Sequence, residues 1–187
     1  MKELSKHVVS GYAPAEPVSL RAHAVTLTVF AIGFGLVARR IGRQRRGYRP
    51  NLADVVLLGA GTHKLTRIVA KDVVTAPLRA PFTRREELEG GGEVHDEPRG
   101  GGIRRALGTL LTCPYCLGPW FGTALTAALI TRPRETRFTL GVMSAVAISD
   151  FLHQRYATLN EARKLTQSAR KRAELEQEDY VRRVRLS

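Results

Sequence analysis

Apolar residues in this chain are gathered into blocks rather than alternated with polar ones. Residues 22–38 (AHAVTLTVFAIGFGLVA) carry no Asp, Glu, Lys or Arg, and residues 106–131 form an uncharged run of 26. A third block, 138–149, stays uncharged until Asp150 and continues through FLHQRYATL. A bilayer core needs about 20 helical residues, with about 17 as the lower limit. The second block exceeds that length, the first meets it, and 138–154 meets it by including Asp150 and His153. Strands would require period-two alternation, and no stretch shows it. The expected fold is therefore all-α: an integral membrane protein with about three transmembrane helices at 22–38, 107–131 and 138–154.

Between the first two blocks lies a different pattern. From Asn51, an expected N-cap, a helical period runs to about Thr75 and stops before Pro77. Leu58, Gly61, Leu65, Ile68 and Val69 fall on one face, and His63, Arg67 and Lys71 recur on another. Such a helix lies in the membrane surface or packs on other helices by its apolar side. Residues 84–105, RREELEGGGEVHDEPRGGG and its flanks, hold charge and glycine but almost no large apolar side chain, and read as a disordered cytoplasmic loop. Residues 1–21 read as a flexible tail, 39–51 as a basic juxtamembrane linker, and 158–187 as a charged helical tail. Residues 52–157 form the membrane domain between them.

Charge then orients the molecule. The net charge is +13, a value that suggests nucleic acid until its distribution is considered. Lys and Arg collect in cytoplasmic loops beside membrane spans. With three spans and the N-terminus outside, 22 Lys or Arg fall inside and 6 outside; a fourth span over 52–70 changes the split to 19 against 9 and puts the Arg39–Arg49 cluster outside. Three spans are favoured, in the plasma membrane, with the C-terminus cytoplasmic. The partners expected are the bilayer, anionic headgroups beside Arg39–Arg49, and a second copy or another membrane protein. Nucleic acid is not expected. A signal peptide is disfavoured because RRIGRQRRGYR, not a small-residue cleavage site, follows the first block.

Three features bear on chemistry. Cys113-Pro114-Tyr115-Cys116 has the spacing of a thiol redox pair. Both of its flanks are apolar helix, so packing of two small sulfur side chains, redox use, and half of a metal site with His63 and His153 all remain open. Asp150 and His153 share a helix face with Gly141, Ala145 and Ser149, small residues that let helices approach. His63, Lys64 or Arg67 are the partners considered for an intramembrane Asp150; if the span ends there, loop arginines serve instead. Gly118 and Gly122 form a GxxxG. No phosphate loop, GxSxG or HExxH is present, so neither an enzyme nor a cofactor is expected.

Four strings occur in order: Thr62-His63-Lys64-Leu65-Thr66-Arg67-Ile68-Val69-Ala70-Lys71-Asp72, then Thr75-Ala76-Pro77-Leu78-Arg79-Ala80-Pro81-Phe82, then Leu111-Thr112-Cys113-Pro114-Tyr115-Cys116-Leu117-Gly118-Pro119-Trp120, and Ser149-Asp150-Phe151-Leu152-His153. Together they resemble the bacterial family catalogued as domain of unknown function 1360, over about residues 52–157. The resemblance implies a small membrane protein, associated in some members with spore formation, with no established activity. It adds Asp72 to the candidate residues His63, Arg67, Lys71 and Asp150.

Overall fold

The computed structural model describes residues 19–43, 48–88 and 93–186. It divides into two compact units, Met1–Ser144 and Ala145–Ser187. The expected N-terminal tail falls almost wholly outside the described residues, as do positions 44–47 of the basic linker and 89–92 of the expected loop.

Helix α1 spans Leu20–Gly42. Ser19 caps it, its Oγ accepting the Ala22 N–H at 3.4 Å, and Arg39 and Arg40 lie in the last turn, where cations complement the helix dipole. Thr26 and Thr28 donate their hydroxyls to the carbonyls four residues back, which satisfies their polar groups within an apolar helix. Leu27, Val29, Ile32, Phe34 and Leu36 are all exposed. Among the described residues α1 is the one helix long and apolar enough to cross a membrane, and little of it is buried.

Helix α2 spans Leu52–Lys71. Asn51 is its N-cap, as expected, and a reciprocal capping box joins Asn51 to Asp54 with both bonds at 2.9 Å. The helix ends earlier than the sequence suggested. Asp72 leaves helical geometry, a 3-10 turn follows over Val73–Thr75, and α3 occupies Ala76–Arg79. The 52–75 segment is thus a helix to Lys71 followed by a 3-10 turn.

The segment expected as a disordered loop, 84–105, is structured where described. Strands β1 (Thr83–Leu88) and β2 (Val94–Pro98) pair antiparallel, with a register irregularity between Arg85 and Glu87. The expectation of an all-α chain is corrected by this hairpin. Its period-two pattern escaped the sequence reading because two of the inward positions are polar: Thr83, Val94 and Asp96 are buried while His95 and Glu97 are exposed. Helix α4, Gly102–Thr112, packs on β2 and α1.

Helix α5 follows over Pro114–Thr131. The uncharged 107–131 block is therefore two helices with a joint at Cys113, where φ −107° and ψ 105° are extended. Pro114 dictates that break, since its ring excludes the α region for the preceding residue. Helix α2 makes an extensive contact with α5, and α1 contacts both α4 and α5. The rings of Phe30 in α1 and Trp120 in α5 meet edge to face at 5.0 Å.

Helix α6 begins at Pro133, two residues after α5 ends, and runs to Leu186. Its residues to Ser144 belong to the first unit, where Leu140 is buried against Gly61 and the Ser144 hydroxyl donates to the Leu57 carbonyl at 3.3 Å. The second unit is helical throughout its described length, as the charge-rich composition of 158–187 suggested.

Candidate functional site

Three polar constellations stand out in the first unit. At one end, Tyr48, Asp54 and Arg137 converge. Asp54 sits in the first turn of α2 because the capping box turns its carboxylate back toward Asn51. Its carboxylate is 1% exposed, and Arg137 Nε donates to Oδ1 at 2.7 Å. The Tyr48 hydroxyl donates to Oδ2 of the same group, and the Arg137 guanidinium lies 5.0 Å above the Tyr48 ring. The Arg137 hydrogen bond holds the Asp54 carboxyl well below the usual carboxylate range, against the opposing effect of burial. Its carboxylate in turn raises both the Arg137 guanidinium and the Tyr48 phenol above their ordinary values.

At the other end, Arg79 is fully buried. Its Nε donates to Asp96 Oδ2 on β2 at 2.9 Å, Nη1 to the Val69 carbonyl at 2.6 Å and to Thr75 Oγ1 at 2.7 Å, and Nη2 to the Asp72 carbonyl at 3.1 Å. The Val69 carbonyl is one that the end of α2 leaves without a helical N–H, and the Asp72 carbonyl, just past that end, also accepts the Thr75 N–H. One side chain therefore closes α2, fixes the 3-10 turn and anchors the hairpin. Beside it, Arg67 of α2 pairs with Glu93.

The third constellation is the Cys113–Cys116 pair at the α4–α5 joint. Both cysteines are free thiols. Cys113 is the N-cap of α5, and the Cys116 backbone N–H donates to Cys113 Sγ at 3.2 Å.

The other residues singled out from sequence are dispersed. His63 is exposed on α2, Lys71 and Asp72 are half-buried at its end, and Asp72 contributes its carbonyl to the Arg79 cluster. Asp150, half-buried, and His153, exposed, belong to the second unit. Among the described residues no group of three His, Cys, Asp or Glu side chains gathers as a metal site. A Cβ at Gly118 or Gly122 would meet nothing within 4 Å, whereas one at Gly61 or Gly108 would stand 2.6 Å from another part of the chain.

Sequence reasoning passed over the two tightest clusters. Asp54 is legible afterwards as the N3 residue of an Asn-x-x-Asp capping pattern, and Arg79 as the lone charge in the proline-bounded TAPLRAPF. Arg137 and Asp96 carry no local signal, because their partners lie 83 and 17 residues away.

These features define a small, mostly helical protein with one membrane-length helix, polar locks at both ends of a helical pack, and a dithiol at a helix joint. Residues 57–156 match the family described as "Protein of unknown function (DUF1360)", and the chain belongs to that family. It is also similar to "Sporulation protein YjcA" of Bacillus subtilis (strain 168), 26% identical over 105 residues that make up 54% of this chain and 89% of that protein. No solved structure matches the chain.

Proposed function

We propose that this protein is a multi-pass component of the bacterial plasma membrane that acts as a structural or assembly element through helix–helix contacts. The observation that carries this reading is the Tyr48–Asp54–Arg137 lock. It sets the start of α2 beside the α5–α6 connection, so α2 runs antiparallel to α5. If α5 crosses the bilayer, α2 must cross beside it. Three spans with the N-terminus outside would place Asp54 and Arg137 on opposite sides of the membrane, where they could not pair.

The arrangement that accommodates the pair has four spans: α1, residues 55–70 of α2, whose short length local thinning of the bilayer accommodates, α5 and residues 138–154 of α6. Lys64 and Arg67 then lie toward the end of α2, where long side chains reach the headgroups. The N-terminal segment, 71–105 and 155–187 share one side with three, seven and nine Lys or Arg, against nine on the other. The positive-inside rule makes the richer side cytoplasmic. Arg39–Arg49 then faces anionic headgroups of the outer leaflet, while the apolar flank of α1 faces acyl chains. In lipid, apolar contact between spans contributes little, so polar locks and close glycine approaches set how the chain's own helices pack, and the packed unit is what a second copy or another membrane protein would meet. The similarity to a Bacillus sporulation protein makes spore formation the process in which to seek that partner.

Membrane-impermeant maleimide tests the topology in intact cells, using single cysteines at Arg49, Arg134 and Ser168 in a Cys113→Ser, Cys116→Ser background. Positions 49 and 134 are expected to label together, and 168 only after permeabilisation. Labelling at 134 with protection at 49 would restore the three-span arrangement and remove this proposal. Crosslinking followed by pull-down from native membranes tests assembly, and recovery as an uncrosslinked monomer argues against it.

A further inference from the structure

We propose that Cys113 and Cys116 form a reversible dithiol–disulfide site that reacts with low-molecular-weight disulfides, Cys113 being the attacking thiol and Cys116 the resolving one. This goes beyond the assembly role and does not depend on the number of spans. Cys113 caps α5 and Cys116 is its N3 residue, so the two side chains lie one helical turn apart, about 5–6 Å between Cβ atoms. A disulfide needs Cβ atoms about 3.5–4.5 Å apart, so closing the bond draws the extended Cys113 at the joint slightly toward the first turn of α5. The two sulfurs are chemically unequal. Cys113 Sγ receives the Cys116 backbone N–H at 3.2 Å and faces the positive end of the α5 dipole, which is the setting for the sulfur that carries negative charge during attack. Cys116 lies one turn into the helix and is exposed.

Access is open. Tyr115, between the cysteines, is 91% exposed, and Pro114 starts the helix without needing a hydrogen-bond acceptor. In the first step the Cys113 thiolate attacks one sulfur of oxidised glutathione. The glutathione S–S bond breaks, a protein–glutathione disulfide forms, and one glutathione leaves as a thiolate that takes up a proton. In the second step Cys116 gives up its proton and attacks the Cys113 sulfur, releasing the second glutathione. The two cysteines lose two electrons and two protons, and the glutathione disulfide gains them. The product staples the first turn of α5 at its joint with α4.

The test uses full-length protein in native membranes, equilibrated over a series of reduced-to-oxidised glutathione ratios, acid-quenched, labelled with maleimide and weighed intact. Both labels should disappear together as the buffer becomes oxidising, with loss of two hydrogens and no dimer. Cys116→Ser should trap glutathione on Cys113, whereas Cys113→Ser should take up glutathione about 10-fold more slowly. Serine at 113 still caps the helix, so a folded Cys113→Ser control is available. Failure to form the intramolecular disulfide at any ratio, or equal trapping rates in the two variants, overturns the proposal.

Discussion

Arg79 shows how much one side chain can organise. It is the largest fully buried side chain among the described residues, and its five donors in a rigid fork suit a site offering a carboxylate, two carbonyls and a hydroxyl. Removing it would leave Asp96 buried without its cation and the Val69 carbonyl without its shortest donor. Breaking a buried pair from one side costs about 3–5 kcal/mol. Arg79→Met is therefore expected to lower stability by about that amount and to expose the 84–98 hairpin to protease before the rest of the chain. Arg79→Lys should rescue little, because an ammonium cannot reach all four acceptors. Hairpin cleavage rates like those of the parent protein for both variants would disprove the anchoring role.

The glycines make a sharper contrast at the same scale. A Cβ at Gly108 would stand 2.6 Å from the Phe82 carbonyl oxygen, a backbone atom that cannot turn aside. Gly108→Ala is expected to destabilise by about 1–3 kcal/mol. Gly118→Ala, in open space, should be neutral or slightly stabilising, because alanine is the better helix former. Thermal unfolding of the detergent-solubilised protein measures both, and equal losses would show that the close approach at Gly108 is not felt.

At the scale of elements, the Tyr48–Asp54–Arg137 lock joins the start of α2 to the start of α6. Its dependence on pH follows from the depressed Asp54 carboxyl. A carboxyl whose folded value lies below its unfolded value contributes stability that is complete above about pH 3.9 and is lost as pH falls through the folded value. Between about pH 7 and about pH 4 the lock should stay intact. The difference in unfolding midpoint between the parent and Asp54→Asn should stay constant across that window, and a difference that shrinks well above pH 5 would contradict the assignment. Arg137→Met should also lower the midpoint, and the double variant should lose less than the sum of the two, since the residues share one interaction.

Other elements teach the same lesson in reverse. Cys113 marks the joint between α4 and α5 because Pro114 follows it, a boundary readable in the sequence but obscured by the apolar run around it. The hairpin was missed because a pattern of apolar and polar residues is a proxy for burial. Asp96 breaks the proxy: it faces inward because Arg79 meets it there.

For the whole molecule, hydropathy located the apolar segments, and the order of four residue strings placed the chain in its family. The sequence alone determined the Asn51 cap, the membrane-length α1, the charged C-terminal helix and the membership of the family, because each is written in residues close together along the chain. Tertiary structure alone decided that α2 lies antiparallel to α5, that residues around 84–98 form a hairpin, and that Asp54 and Arg79 are the buried polar centres. Those outcomes depend on pairings across 83 residues for Asp54 with Arg137 and 17 for Arg79 with Asp96. A charged residue in sequence does not announce its partner. Whether it is solvated or buried is settled only when folding brings the opposite charge to it.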